Sequence, residues 1–254
     1  MENRNKIALV TGGSRGLGKD MALRIAEKGL DVMLTYNANL ADAQEVVAQI
    51  EQMGRKAATI QLDAGDIKNF PAFVTEVKST LQHTFQTDHI DYLINNAGIG
   101  GYAAFSEVTE DMFDELCNIH YKGVYFLTQK LLPVMNDGGG IVNISSGLTR
   151  VSAIGSSAYA SMKGAVEVFT RYLAKELGPR GIKANSIAPG AVMTDFGGGH
   201  LRNDEQLQKM ISSVTALGRT AVAEDIGGAV AFLCTDEARW VNAQRIEVSG
   251  GMFI

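Results

Sequence analysis

The chain has little proline and little cysteine, 4 and 2 residues among 254. Scarce proline beside 28 glycines and 46% apolar residues excludes a disordered or fibrous protein and suits an ordered globular one. Cys117 and Cys234 fall in helical patterns without a Cys-x-x-Cys spacing, so a disulfide, a metal site and a thiol nucleophile are not expected, and both belong in the core. There is no basic excess: 23 Lys and Arg stand against 28 Asp and Glu, a formal charge of −5. That balance offers no field for phosphate backbones or anionic lipid, so neither nucleic acid nor a membrane is expected as partner, and a small molecule is. Long apolar runs are missing too. Ile7 to Val10, behind the polar lead Met1 to Lys6, is too brief for a signal-peptide core, and the protein is expected to be cytoplasmic.

What the chain does have is alternation. Short β-rich runs at 6–10, 31–35, 57–62, 90–95, 140–145, 182–187 and 245–249 are separated by helical patterns near 17–28, 41–53, 68–81, 110–135, 158–178 and 223–234. Strand–helix alternation is the sequence form of a parallel sheet covered on both faces. Seven strands and six helices make one doubly wound α/β domain over 1–254, with one long irregular segment near 190–219 expected to be a mobile substrate loop. Ligands of such sheets bind beyond the carboxyl ends of the strands, where that loop would lie.

The first strand runs into Thr11-Gly12-Gly13-Ser14-Arg15-Gly16-Leu17-Gly18, and a helix starts within the glycines. Glycine permits positive φ and close backbone approach, and the free amides at the helix start attract a pyrophosphate. A tight structural turn would use the same residues, so the motif needs support. Gly13 to Asp20 also approaches the Walker pattern G-x-x-x-x-G-K-[ST], but Asp20 replaces the metal-binding hydroxyl and would repel phosphates, which leaves dinucleotide binding ahead of nucleotide hydrolysis.

Further segments in matching order give that support: Asn95-Asn96-Ala97-Gly98, Ser146, Tyr159-Ala160-Ser161-Met162-Lys163, Pro189-Gly190 and Ser249-Gly250-Gly251. Together with the T-G-x-x-x-G-x-G turn they resemble the short-chain dehydrogenase/reductase family in its single-domain form, over essentially the whole chain. The resemblance implies a Rossmann sheet of order 3-2-1-4-5-6-7. It also implies cofactor contacts from Gly12, Ser14, Gly16, Leu17 and Gly18, from Tyr36 and Asn37, from Asp63 near the adenine, from Asn95, Ala97 and Gly98 along the adenosine, from Pro189 and Gly190, and from Thr194 near the carboxamide. Among family members the chain is similar to 3-oxoacyl-carrier-protein reductases and glucose dehydrogenases.

Tyr159 and Lys163 are four residues apart and share a helix face. A phenol of pKa about 10 is a sluggish base, and a lysine charge at about 4 Å in a dielectric of about 20, worth about 4 kcal/mol, would lower it by at most about three units. The expectation is that Ser146 donates to the substrate oxygen, Tyr159 supplies the proton and Lys163 also holds the cofactor ribose. Ser145 competes for the serine role, but the 13-residue interval to Tyr159 selects Ser146. An ordinary helix surface carries Tyr-x-x-x-Lys far more often than an active site does; the upstream glycine turn and Ser146 reverse those odds. A catalytically idle dinucleotide-binding redox sensor is the alternative, and the intact Ser146, Tyr159 and Lys163 speak against it.

Two departures stand out. Where the family has a catalytic Asn, three residues before a Gly, counting back from Gly123 reaches His120; Asn118 lies about 200° around an α-helix from it. Either His120 takes the fourth catalytic position, holding a relay water, or the helix is locally irregular, and simple packing of His120 weighs as much as the relay role. Ala243 stands where the family often has Gly, with an effect expected on packing alone. The second strand ends in Thr35-Tyr36-Asn37 with no carboxylate to repel a 2′-phosphate, and Arg15 can pair with one, so NADP(H) is favoured over NAD(H). Tyr102, Phe105, Leu148, Ile154, Val192, Met193 and Phe196 form the expected pocket wall and lean towards an apolar carbonyl or alcohol substrate. The helix from Tyr159 to Leu177 is apolar on two sides and, with Met252 to Ile254, suggests a homotetramer.

Overall fold

The computed structural model describes residues 5–254; Met1 to Arg4, most of the polar lead, lie outside them. Seven strands, β1 (Ile7–Val10), β2 (Asp31–Tyr36), β3 (Ala57–Gln61), β4 (Ile90–Asn95), β5 (Met135–Ile144), β6 (Lys183–Pro189) and β7 (Arg245–Val248), form one parallel sheet of order β3-β2-β1-β4-β5-β6-β7. The order reverses between β1 and β4, whose ends Val10 and Ile94 stand in register. A crevice opens there.

Side chains along each strand point alternately to the two faces, and both faces are covered. In β1, Ala8 and Val10 pack with Met21, Ile25, Val46, Ile226 and Val230 in one layer. Ile7 and Leu9 pack with Phe70, Phe73, Val77, Leu127, Leu131 and Leu173 in the other. The first layer is built on α1 (Gly16–Glu27), α2 (Leu40–Gln52) and α9 (Glu224–Leu233); the second on α3 (Phe70–Thr80), α5 (Val124–Leu131) and α6 (Ser157–Glu176). Cys234 is buried, Cys117 half-buried, and both are free thiols. No helix among the described residues is long and apolar enough to cross a membrane.

Three stretches differ from the sequence expectation. The helix expected over 110–135 is α4 (Glu110–Cys117), a wider π-helical segment (Asn118–Gly123), α5 and a 3-10 turn (Leu132–Val134). β5 then starts at Met135, which pairs with Ile90, before the register jumps to Tyr92 opposite Gly140. The intervening Asn136 to Gly139, with Gly138 at φ 76°, read as a loop in sequence. The segment expected to be irregular carries α7 (His200–Asn203) and α8 (Glu205–Ser213), the latter started by Asp204, whose Oδ1 accepts from the amides of Gln206 and Leu207. Gly197, Gly198 and Gly199, all at positive φ, separate these helices from β6 and masked them in the sequence pattern.

Ala243 adopts φ 60°, in the left-handed region. That explains why a relative would place glycine there.

Candidate active site

The glycine turn sits at the carboxyl end of β1. Gly12 and Gly16 have φ of 64° and 53°. A Cβ on Gly12 would lie 3.0 Å from the Ala97 Cα, and one on Gly18 would lie 2.0 Å from the Gly12 carbonyl oxygen, so neither position accepts a side chain. The Thr11 hydroxyl clasps the ends of β1 and β4: it donates to the Ile94 carbonyl at 3.2 Å and accepts from the Asn96 and Ala97 amides at 2.9 and 3.0 Å. Asn96 returns the contact, its amide donating to the Thr11 and Gly12 carbonyls.

α1 opens towards this turn without a side-chain cap or an acidic residue in its first turn, whereas Asn39, Thr109 and Asp204 cap α2, α4 and α8. Its first amides and positive dipole end are therefore free for an anion. Arg15, at the α1 cap position, is exposed, and its guanidinium has no partner among the described residues. Asn37 is exposed at the end of β2, Tyr36 and Ser14 are half-buried, and Thr194 lies close enough that a Cβ on Gly16 would come within 3.7 Å of it. A close-approach glycine turn, free amides and an unpaired cation fit a phosphorylated dinucleotide.

The remaining expected contacts divide. Pro189 ends β6, and Gly190 packs so tightly that a Cβ would meet the Ser249 Cα at 2.9 Å. Gly98 is kept bare by His120, whose Cε1 would be 2.6 Å from a Cβ. Asp63 is exposed and accepts from the Gly65 amide at 2.9 Å. Leu17 packs on the core layer under α1. Asn95 turns inward: its side chain is 4% exposed and donates to Thr128 and Asn143 at 3.0 and 2.8 Å. It ties β4 to β5 and α5, so its side chain is committed to the interior.

Ser146, Tyr159, Lys163 and His120 converge beyond the ends of β4 and β5. Ser145 points away into the interior and donates to Glu167 at 2.6 Å, which leaves Ser146 as the serine of the site. Burial pushes the Tyr159 phenol above its usual value, Tyr102 adds to the rise and a hydrogen bond with Ser146 opposes it. Lys163 has its Nζ 5.7 Å from the Tyr159 ring centroid and donates to the Ile144 carbonyl at 2.8 Å; its burial lowers its pKa to about 7. The expectation that the lysine charge brings the phenol near neutrality finds no support in this structure: burial raises the phenol, and Lys163 is not among the groups that shift it. A protonated phenol is the state carbonyl reduction requires.

Of the two alternatives for the fourth position, the irregular helix is what the structure shows. The helix is irregular, and within its π-helical segment His120 points inward, fully buried, with its ring edge-on to Tyr159 at 5.0 Å and 87°. Asn118 instead sits beside Asp63, Asp66, Asp111, Asp114 and Glu115 along a separate surface groove. The turn is widened at Gly123, where a Cβ would come within 2.1 Å of the Ala64 carbonyl oxygen. Over the site stand Tyr102 and Phe196, the latter 5.9 Å from the Tyr159 ring.

Fold and site together define an oxidoreductase that uses a nicotinamide cofactor on a carbonyl or alcohol carbon. Residues 12–253 match a family model described as enoyl-(acyl carrier protein) reductase. The chain is 37% identical over 257 residues to the hydroxynaphthalene reductase-like protein Arp2 of Metarhizium brunneum, covering 97% of this chain and 94% of that protein. It is 33% identical over 258 residues to the tetrahydroxynaphthalene reductase PfmaG of Pestalotiopsis fici, covering 97% and 91%. The crystal structure of the angucycline C-6 ketoreductase LanV with bound NADP is similar at a TM-score of 0.92 and 35% identity, covering 98% of this chain and 95% of that one. The chain belongs to the short-chain dehydrogenase/reductase family, in the group whose model carries the enoyl reductase name.

Proposed function

We propose that the protein is an NADP(H)-dependent ketoreductase acting on a flat, aromatic or polycyclic ketone. The observation that carries this reading is the placement of a buried Tyr159 beside Ser146 and beneath the aromatic side chains of Tyr102 and Phe196. Tyr102 and Phe196 are 54% and 41% exposed and, with Phe105 and Ile154, give the opening an apolar rim of the kind that stacks on ring systems. The similarity to reductases named for naphthalene and angucycline compounds supports the same substrate class.

When bound, the nicotinamide supplies the hydride. The chain's own residues do the rest. The glycine turn and α1 hold the pyrophosphate, and Arg15, with Ser14 and Asn37, pairs with the 2′-phosphate. Lys163 holds the ribose. Ser146 donates to the substrate oxygen, and Tyr159 hands it the proton as negative charge develops there. His120 occupies the fourth catalytic position: with Nε2 bonded to the Ile99 carbonyl at 2.7 Å, Nδ1 has no partner among the described residues and is an acceptor for a relay water. The segment 190–219 closes over the substrate. Assembly as a homotetramer is supported by the exposed Tyr172, Val168 and Tyr125 on α6 and α5 and by Phe253 and Ile254.

The test is oxidation of NADPH, followed by absorbance, with polycyclic aromatic ketones, aliphatic ketones and 3-oxoacyl thioesters at equal concentration. The aromatic ketones are expected to give the highest kcat/KM. Preference for the thioesters would reject the substrate class, and binding of cofactor without turnover of any carbonyl would favour the idle sensor.

A further inference from the structure

Tyr159, Lys163 and Glu167 lie four residues apart along α6, and each reaches a different one of three consecutive residues at the end of β5. Lys163 donates to the Ile144 carbonyl at 2.8 Å, Glu167 accepts from the Ser145 hydroxyl at 2.6 Å, and Tyr159 faces Ser146 closely enough for Ser146 to lower its pKa. Glu167 has further partners on the same turn. Its Oε1 lies 2.8 Å from the Thr149 hydroxyl, which is also 2.9 Å from the Ser146 carbonyl oxygen, so that the single hydroxyl proton serves one or the other. Arg245 of β7 donates to Glu167 at 2.7 Å and to the Ser146 carbonyl at 3.3 Å. Behind it Glu247 joins Arg245 to Arg150, which holds the Met252 carbonyl at 2.7 Å. Two carboxylates and two guanidiniums thus form a neutral chain from the C-terminal segment to the backbone of Ser146.

We propose that Glu167 is a positioning residue for the reaction, fixing the Ser146 hydroxyl relative to Tyr159 through Ser145, Thr149 and Arg245. This rests on the ketoreductase reading of the site and names a residue outside its reacting groups. Ser145 is 2% exposed, so its hydroxyl has no solvent to turn to once the carboxylate is gone, and the Ser146 turn must adjust. Displacement of a hydrogen-bond donor by a fraction of an ångström is enough to slow a reaction that depends on its alignment, since about 1 Å can cost about 10²-fold.

The test is steady-state turnover of Glu167→Ala, Glu167→Gln and Ser145→Ala, each in the wild-type and the Ser146→Ala background, with NADPH affinity and thermal melting on the same samples. Glu167→Ala is expected to lower kcat about 10-fold with NADPH affinity within about twofold. Glu167→Gln keeps an acceptor for Ser145 and should recover most of that loss. In the Ser146→Ala background Glu167→Ala should change kcat by less than about twofold, because the group it positions is absent. An equal loss in both backgrounds, or an active wild type that Glu167→Ala does not slow, overturns the proposal. Should the alanine variant not fold, Ser145→Ala makes the same comparison: dependence on Ser146 supports the proposal and independence rejects it. A wild type that turns over no carbonyl instead rejects the ketoreductase reading itself.

Discussion

His120 stands edge-on to Tyr159, ring centroids 5.0 Å apart, with its Nε2 2.7 Å from the Ile99 carbonyl oxygen. Burial first, and the charge of Lys163 second, lower its pKa to about 3. The imidazole is therefore neutral near pH 7; Nε2 also lies 3.3 Å from the Ile99 amide, and the tautomer in which it donates to the carbonyl leaves Nδ1 an acceptor.

If Nδ1 holds a relay water, His120→Asn retains most turnover, whereas His120→Ala slows proton supply by about 10-fold or more. An alanine variant with unchanged turnover and pH profile, and only lower stability, would assign the ring to packing. Acid stability gives an independent check. Unfolded His120 takes up a proton below its ordinary value of 6.5 and the folded one only below about 3. Its contribution is therefore complete above pH 6.5 and is lost as pH falls towards 3, at up to about 1.4 kcal/mol per pH unit. Denaturant titrations from pH 7 to 4 should show a shallower decline for His120→Asn than for wild type.

Lys163 illustrates a conflict between stability and function. Its folded pKa of about 7 lies below the ordinary 10.5, so between those values the unfolded chain binds more protons and stability rises with pH. Below pH 7 the full cost of burying the charge is present. Lys163→Met should be more stable than wild type at pH 7, by about 1–3 kcal/mol, with the margin shrinking towards pH 10, while turnover and cofactor affinity both collapse. Thermal melting across that range checks it, and a destabilised variant at pH 7 would contradict the sign.

Arg15 has no partner among the described residues, and no carboxylate ends β2. NADPH should support a higher kcat/KM than NADH. A charge-assisted bond to a phosphate is worth about 1.5–3 kcal/mol, or about 10-fold to 150-fold. Solvent at Arg15 places the expected loss on Arg15→Ala near the lower figure. Comparing both cofactors with both proteins decides it; a wild type that prefers NADH would make Arg15 a bystander.

The parallel sheet and the convergence of Ser146, Tyr159 and Lys163 were legible in the sequence because each has a local signal: alternating apolar runs, glycines at a turn, a four-residue spacing on a helix; the order of the strands followed only from the family resemblance. The π-helical segment was not, since widening a turn by one residue leaves the apolar pattern almost intact and only the misfit of His120 against Gly123 betrays it. The interior role of Asn95 was hidden because its partners Thr128 and Asn143 are distant in sequence. Glu167 carries a weak signal, a carboxylate one helical turn beyond Lys163 on the same face of α6. The phenol's raised pKa depends on how deeply Tyr159 is buried, which no spacing conveys.

Proton donation by Tyr159 is the central claim, and Tyr159→Phe tests it most directly, because it removes the hydroxyl and keeps the ring against His120 and Phe196. The measurement is single-turnover oxidation of NADPH by wild type and variant with one aromatic ketone, alongside NADPH titration of each. A loss of about 10²-fold to 10⁴-fold in the rate with unchanged cofactor affinity is expected. A variant that reduces the ketone at close to the wild-type rate would contradict the mechanism.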